Sequence, residues 1–351
     1  MGLRAEADAV VAAHRAAMRR FAAAGVQSGV LEAGEPGAPP VLCLHGVPTS
    51  AFLYRKVIIE LAQRGFRGLA FDLPGLGVAD RPADFDYTWT GLGRFAAAAV
   101  DALGLDRFHL VVHDIGGPVG FELTARMPAR VLSLTILNTL VAVGSFRRPW
   151  VMEPLAHRVI GPLWLASMRP RLFLLLMRRL GVEHHAQVSD AELLAYLRLL
   201  LEGDGRDDDG RGDDGRGDDG RDDDGRDDDG RDDDGRDDDG RDDDGRGGEG
   251  REGEGRNGGG RNDGGQAFLR IMRGFERTAE KDALYRSVVG DHRRPRQVLW
   301  GALDPTLRLK PMGQLAADIA GVPAKTVPGR HFLQEDNAPA IAEAVAALVS
   351  N

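Results

Sequence analysis

Short apolar runs, each closed by a small or polar residue, recur along the chain and alternate with longer stretches whose apolar positions repeat every three to four residues. Runs at 41–44, 68–71, 110–112, 131–137 and 297–300 have the length and composition of strands buried on both faces, and 324–327 is a further strand-like segment. Helical patterns at 54–63, 92–103 and 117–125 separate the earlier runs. Strand-then-helix alternation predicts an α/β domain on a mostly parallel, doubly wound sheet. In such sheets functional groups gather beyond the carboxyl ends of the strands, so the residues that close each run are the first to inspect.

The alternation stops between residues 144 and 290, where helical stretches at 163–180, 191–201 and 267–275 follow one another with no strand between them. This pattern predicts a helical cap, 144–290, inserted between a first core part, 1–143, and a second, 291–351. The N-terminus carries Arg4, Glu6, Asp8, His14, Arg15, Arg19 and Arg20, has no uncharged core of signal-peptide length, and reads as an amphipathic helix.

Composition changes the picture at one place. Residues 203–264 follow a five-residue period, Arg-Asp-Asp-Asp-Gly, and hold 12 Arg against 24 Asp and 3 Glu, a net charge of −15. The whole chain is at −9, so the remainder is at +6, too mild a balance to point to nucleic acid. With no aliphatic or aromatic residue the segment cannot bury enough surface to offset chain entropy, and a disordered insert within the cap is expected. Its period matches neither an EF-hand loop nor a nine-residue calcium-binding repeat. Cys43 is the single cysteine, which excludes a disulfide within the chain and fits a reducing, cytoplasmic setting. Arg169, Arg171, Arg178 and Arg179 interrupt the most apolar region, so no membrane span is expected.

Candidate chemistry centres on His113-Asp114-Ile115-Gly116-Gly117, directly after the apolar run 108–112. A buried strand entering a tight turn that opens a helix is the setting of a nucleophile elbow. Asp114 stands where a serine is commoner. A carboxylate of pKa ~4 is already ionised at neutral pH and can attack carbon with no base to deprotonate it. Asp304, in Trp300-Gly301-Ala302-Leu303-Asp304-Pro305, and His331, in Gly329-Arg330-His331-Phe332, complete the order nucleophile, acid, histidine. In His45-Gly46-Val47-Pro48, the Val47 amide is expected to join the Ile115 amide in an oxyanion hole. His113 reads as a structural hydrogen-bonding residue, and His157, His184 and His185 lack paired metal-ligand spacing. Trp150, Phe146 and Trp164 are candidates to line a cap pocket.

The segments His45-Gly46-Val47-Pro48-Thr49-Ser50, Phe71-Asp72-Leu73-Pro74-Gly75-Leu76-Gly77, Val112-His113-Asp114-Ile115-Gly116-Gly117 and His331-Phe332-Leu333-Gln334-Glu335-Asp336 resemble the haloalkane dehalogenase and epoxide hydrolase branch of the α/β-hydrolases. The likeness covers nearly all of the chain outside the repeat. It implies an α/β-hydrolase core with a helical cap, Asp114 as nucleophile, His331 as general base and Asp304 as its charge partner. Some dehalogenases carry the acid after the strand before the cap, where this chain has Asn138, an uncharged residue. The residues that cradle halide in dehalogenases correspond to Ile115 and Val47, which offer no side-chain N–H. The cap tyrosines of epoxide hydrolases have candidate counterparts in Tyr285 and Tyr196, and Trp150 is a further substrate-side candidate. The resemblance implies hydrolysis of a small apolar substrate by water through a covalent Asp114 ester, with no metal or organic cofactor. Carbon–halogen cleavage comes first. Epoxide hydrolysis, cofactor-free oxygenation and ligand binding without turnover on the same fold stay open.

Overall fold

Strands buried on both faces need helices on both faces, and the chain supplies them in order. A computed structural model describes residues 2–202 and 263–350; residues 203–262 of the repeat, and the disorder expected of them, lie outside the described residues, while its last two, Asp263 and Gly264, are helical instead. The first part runs α1 (Leu3–Ala17), β1 (Arg19–Ala23), β2 (Val26–Ala33), β3 (Pro40–Leu44), α2 (Arg55–Gln63), β4 (Arg67–Phe71), α3 (Trp89–Ala102), β5 (Phe108–Asp114), α4 (Gly116–Arg126) and β6 (Val131–Thr139). Helices α5 (Ile160–Ser167), α6 (Pro170–Leu176), α7 (Asp190–Glu202), α8 (Asp263–Arg273) and α9 (Ala279–Val289) follow. The chain then closes with β7 (Arg296–Gly301), α10 (Gln314–Ala320), β8 (Ala324–Val327), α11 (Leu333–Asp336) and α12 (Ala338–Ser350).

The strands form one sheet in the order β1-β2-β4-β3-β5-β6-β7-β8. Every pairing from β4 to β8 is parallel, as the apolar runs require, and β2 joins β4 antiparallel. The hairpin β1–β2 is the part the apolar pattern did not announce. Its turn is made by Ala24 at φ 46° and Gly25 at φ 77°, the paired left-handed conformation that matches strand twist. The Ala-rich stretch through it reads as helix, and the glycine is its one local signal.

Two apolar layers cover the sheet. One face buries Trp89, Phe95, Phe121, Tyr285 and Trp300. The other buries Phe52, Tyr54, Ile58, Leu333 and Ile341. The apolar run 163–180 is not one helix: α5 stops at Ser167, and Pro170 opens α6 because its ring tolerates the first helical turn but not an interior. Among the described residues no helix is long and apolar enough to cross a membrane.

Helix α9 falls inside the expected cap range, yet it lies against the core. Tyr285 is fully buried, its ring 5.6 Å from Phe121 of α4 and 6.2 Å from Trp89 of α3. Its hydroxyl lies 3.2 Å from Glu122 Oε1, which Lys281 also engages.

Candidate active site

Asp114 sits where β5 ends and α4 begins, with φ 51°, one of two non-glycine residues at positive φ among those described. An L-residue in this conformation is strained by about 1–3 kcal/mol, so the surroundings must hold it there. They do so at three points. The Thr139 hydroxyl, at the end of neighbouring β6, donates to the Asp114 carbonyl. The Val47 N–H donates to Asp114 Oδ1 at 2.8 Å. The third is steric: a Cβ at Gly46 would run into the Asp114 carboxylate, and one at Gly116 into the Leu44 carbonyl, so the two loops approach at a distance only glycine permits.

The loop bearing Val47 is fixed in turn by His45. The Leu73 N–H donates to His45 Nε2 at 3.1 Å, which makes that nitrogen the acceptor and places the proton on Nδ1, 3.0 Å from the Gly46 carbonyl. Burial pushes His45 down to about 4, so it stays neutral at pH 7. Asp72 accepts N–H groups of Ala51 and Val78, each at 2.7 Å, and so ties the loop after β4 to the chain after Val47.

His331 reaches the same point from the loop after β8. Its Nδ1 is 2.9 Å from Asp304 Oδ2, and its Nε2 is 3.6 Å from Asp114 Oδ2, beyond a direct hydrogen bond. Asp304 is itself fully held: Thr306 and Leu307 give three donors to Oδ1 at 2.7, 2.7 and 2.9 Å. Asn138 donates to Oδ2 at 2.6 Å while its own Oδ1 accepts the Gly301 N–H at 2.8 Å. Asn138, uncharged where some dehalogenases carry the acid, here orients Asp304 from the adjacent strand end. Burial opposes charge on Asp114 and Asp304, but His331 and the surrounding donors outweigh it and hold both carboxyls below their usual range. Burial opposes charge on His331 as well, yet Asp304 and Asp114 together push it up to about 10. His113 packs 4.8 Å from the His331 ring and bonds the His331 carbonyl through Nε2 at 2.8 Å. Burial and the neighbouring imidazole drive it down to about 3, leaving it a neutral brace.

Asp114 and His331 open into a cavity lined by Val47, Leu140, Phe173, Leu197, Phe268 and Phe275, among other apolar residues. The chain segments between β6 and β7 supply most of that lining. The Val47 N–H meets the carboxylate, whereas no hydrogen bond joins the Ile115 amide to it; Ile115 caps α4, where the first amides lack helical acceptors. The substrate-side candidates are not brought together. Tyr285 faces Glu122 in the core, and the Tyr196 hydroxyl is bonded to Glu335 and 3.5 Å from Arg55. Trp150 is 71 % exposed and borders a separate surface depression, and Trp164 is committed to the Val151 carbonyl at 3.0 Å; of the aromatic candidates Phe146 alone lines the cavity.

A strained carboxylate at a strand–helix elbow, a backbone amide donating to it and a histidine–aspartate pair from the loops after the last two strands define the architecture: this is an α/β-hydrolase fold, and residues 39–172 match the alpha/beta hydrolase fold family. The chain is 39 % identical over 115 residues to the haloalkane dehalogenase of Psychrobacter cryohalolentis, covering 32 % of this chain and 38 % of that protein. It is 36 % identical over 123 residues to an uncharacterized hydrolase of Saccharomyces cerevisiae, covering 34 % and 42 %. These matches span less than half the length of the relatives. The haloalkane dehalogenase DatA from Agrobacterium tumefaciens C58 superposes with a TM-score of 0.63 over 95 % of this chain and 96 % of its own, at 20 % identity, which is a likeness of fold.

Proposed function

We propose that this chain is a hydrolase that displaces a leaving group, foremost a halide, from an sp³ carbon through a covalent Asp114 ester. The observation that carries the reading is the division of labour between the two Asp114 oxygens. Oδ1 is held by the Val47 N–H, and Oδ2 lies beside His331 in an apolar cavity. Oδ2 attacks carbon, the C–Oδ2 bond forms and the carbon–halogen bond breaks with its electron pair leaving on the halide. The ester carbonyl is then Oδ1, already at its donor. Water next adds to the Asp114 carboxyl carbon and gives a proton to His331 Nε2, while Oδ1 carries the oxyanion. Collapse breaks the Cγ–Oδ2 bond, His331 protonates the departing alcohol, and Asp114 returns to the carboxylate as one proton goes to solvent.

An ester substrate fits this site poorly, because carboxylate attack on it forms an anhydride that reverts. The halide reading is favoured over epoxide opening by the tyrosines. Epoxide opening calls for an acid beside the departing oxygen, and both Tyr196 and Tyr285 are bonded to glutamates outside the cavity lining. Replacing His331 with Gln stops ester hydrolysis but not ester formation. After incubation of H331Q with 1-bromohexane, the peptide containing Asp114 is expected to gain the mass of a hexyl group. An unmodified peptide from H331Q, with bromide released by the native chain under the same conditions, would exclude the covalent route.

A further inference from the structure

The cavity beside Asp114 holds one charged side chain that the reaction above does not use. Arg148, which follows the strand-end loop after β6, lines the cavity together with Asp114 and His331, and its side chain is only 7 % exposed. A guanidinium carries five N–H donors and loses solvation when buried, so it requires acceptors. Those it has are few. Nη2 donates to the Met272 carbonyl at 2.9 Å, and the group lies 4.7 Å over the Phe275 ring. Nη1 is 3.8 Å from Glu153 Oε2, too far for a hydrogen bond, and Glu153 is itself half exposed. Nε is buried without a partner. The neighbouring charges pull in opposite directions: Glu153 offsets part of the cost of burial, while Arg277, a second cation, adds to it and gives its own donor to the Phe146 carbonyl at 3.2 Å. The remaining polar lining has no free anion to offer either, since Thr306 Oγ1 is committed to Asp304 and Asp114 to Val47 and His331.

We infer that Arg148 is an anion subsite of this cavity, and that the substrates are aliphatic molecules bearing a carboxylate, with the chain lying along the apolar wall and the carboxylate on the guanidinium. The inference rests on the proposed function for the identity of the reacting carbon, but its recognition step stands on Arg148 alone. A carboxylate accepts strong, charge-assisted N–H bonds from a guanidinium, and among the described residues Nη1 of Arg148 has no acceptor within hydrogen-bond distance.

The test is a binding measurement with no turnover: titration of the full chain, R148M and R148K with octanoate and with 1-octanol, two probes of equal chain length and opposite head charge. The native chain is expected to bind octanoate at least about tenfold more tightly than 1-octanol. R148M should lose that preference and keep its affinity for 1-octanol, and R148K should retain part of it. Equal affinity of the native chain for the two probes, or a preference that survives in R148M, overturns the inference and leaves Arg148 as a wall between cavity and surface. The native comparison decides the matter even if R148M fails to fold. A trapped hexyl ester in H331Q without octanoate preference sinks this inference alone; octanoate binding without a trapped ester sinks the function and spares the subsite.

Discussion

His331 stands between two carboxylates, and its charge depends on whether both are ionised. With Asp114 and Asp304 charged it titrates at about 10, and at neutral pH it is an imidazolium that could not accept a proton from water. On the proposed mechanism, alkylation of Asp114 would remove one of the two anions, so the step that creates the ester would also release the histidine to act as a base. D114N removes that anion permanently. Its His331 resonance, followed by NMR titration, is expected to move from about 10 toward the ordinary value near 6.5; an unchanged titration would show that Asp304 alone sets it. The folded value lies above the unfolded one, so the pair's contribution to stability is complete below about 6.5 and is lost as pH rises through about 10. The thermal midpoint of the native chain should therefore fall more than that of D114N between pH 7 and 10. Leaving-group dependence belongs to the same scale. With Val47 and Ile115 offering no side-chain N–H to a halide, rates are expected to fall steeply from iodide to bromide to chloride on one alkyl chain, and a flat series would reveal a halide donor elsewhere.

Elements differ in how far the sequence discloses them. Five of the six parallel strands were legible because burial on both faces forces unbroken apolar runs, whereas β8, with Lys325 and Thr326 exposed, carries only a weak form of that signal; the candidate residues Asp114, Asp304 and His331 stood out because each lies at or just beyond a strand end. Hairpin β1–β2 was not, since an alanine-rich antiparallel edge lacks that signature. Nor could spacing assign α9: an amphipathic helix looks the same whether it covers a cavity or a sheet, and only the contact between Tyr285 and Glu122, 163 positions apart, decides it. Tyr196 on α7 shows the same limit. Its partner Glu335 is fully buried on α11 and also pairs with Arg55 and Lys56 of α2, so one cluster fastens three helices. E335A leaves two cations facing the vacated site and is expected to lower unfolding stability by about 3 kcal/mol in chemical denaturation. Y196F and Y285F, by contrast, should keep kcat within about threefold, the tyrosines being braces with no proton to deliver. A hundredfold loss in either would return the epoxide reading.

At the scale of the whole molecule the insert dominates the charge. Removing residues 203–262 deletes 12 Arg, 23 Asp and 3 Glu, taking the net charge from −9 to +5. The shortened chain should exchange an anion-exchange resin for a cation-exchange resin at pH 7 while retaining turnover within about twofold. The reason lies at the base of the insert. A Cβ on Gly264, in the first turn of α8, would come within 2.5 Å of the Leu200 carbonyl and 2.6 Å of the Leu201 carbonyl in the last turn of α7. The chain thus leaves and re-enters the fold at a single point. Five-residue units could be gained or lost by replication slippage without moving either helix, which makes repeat number a quantity free to drift between otherwise identical enzymes.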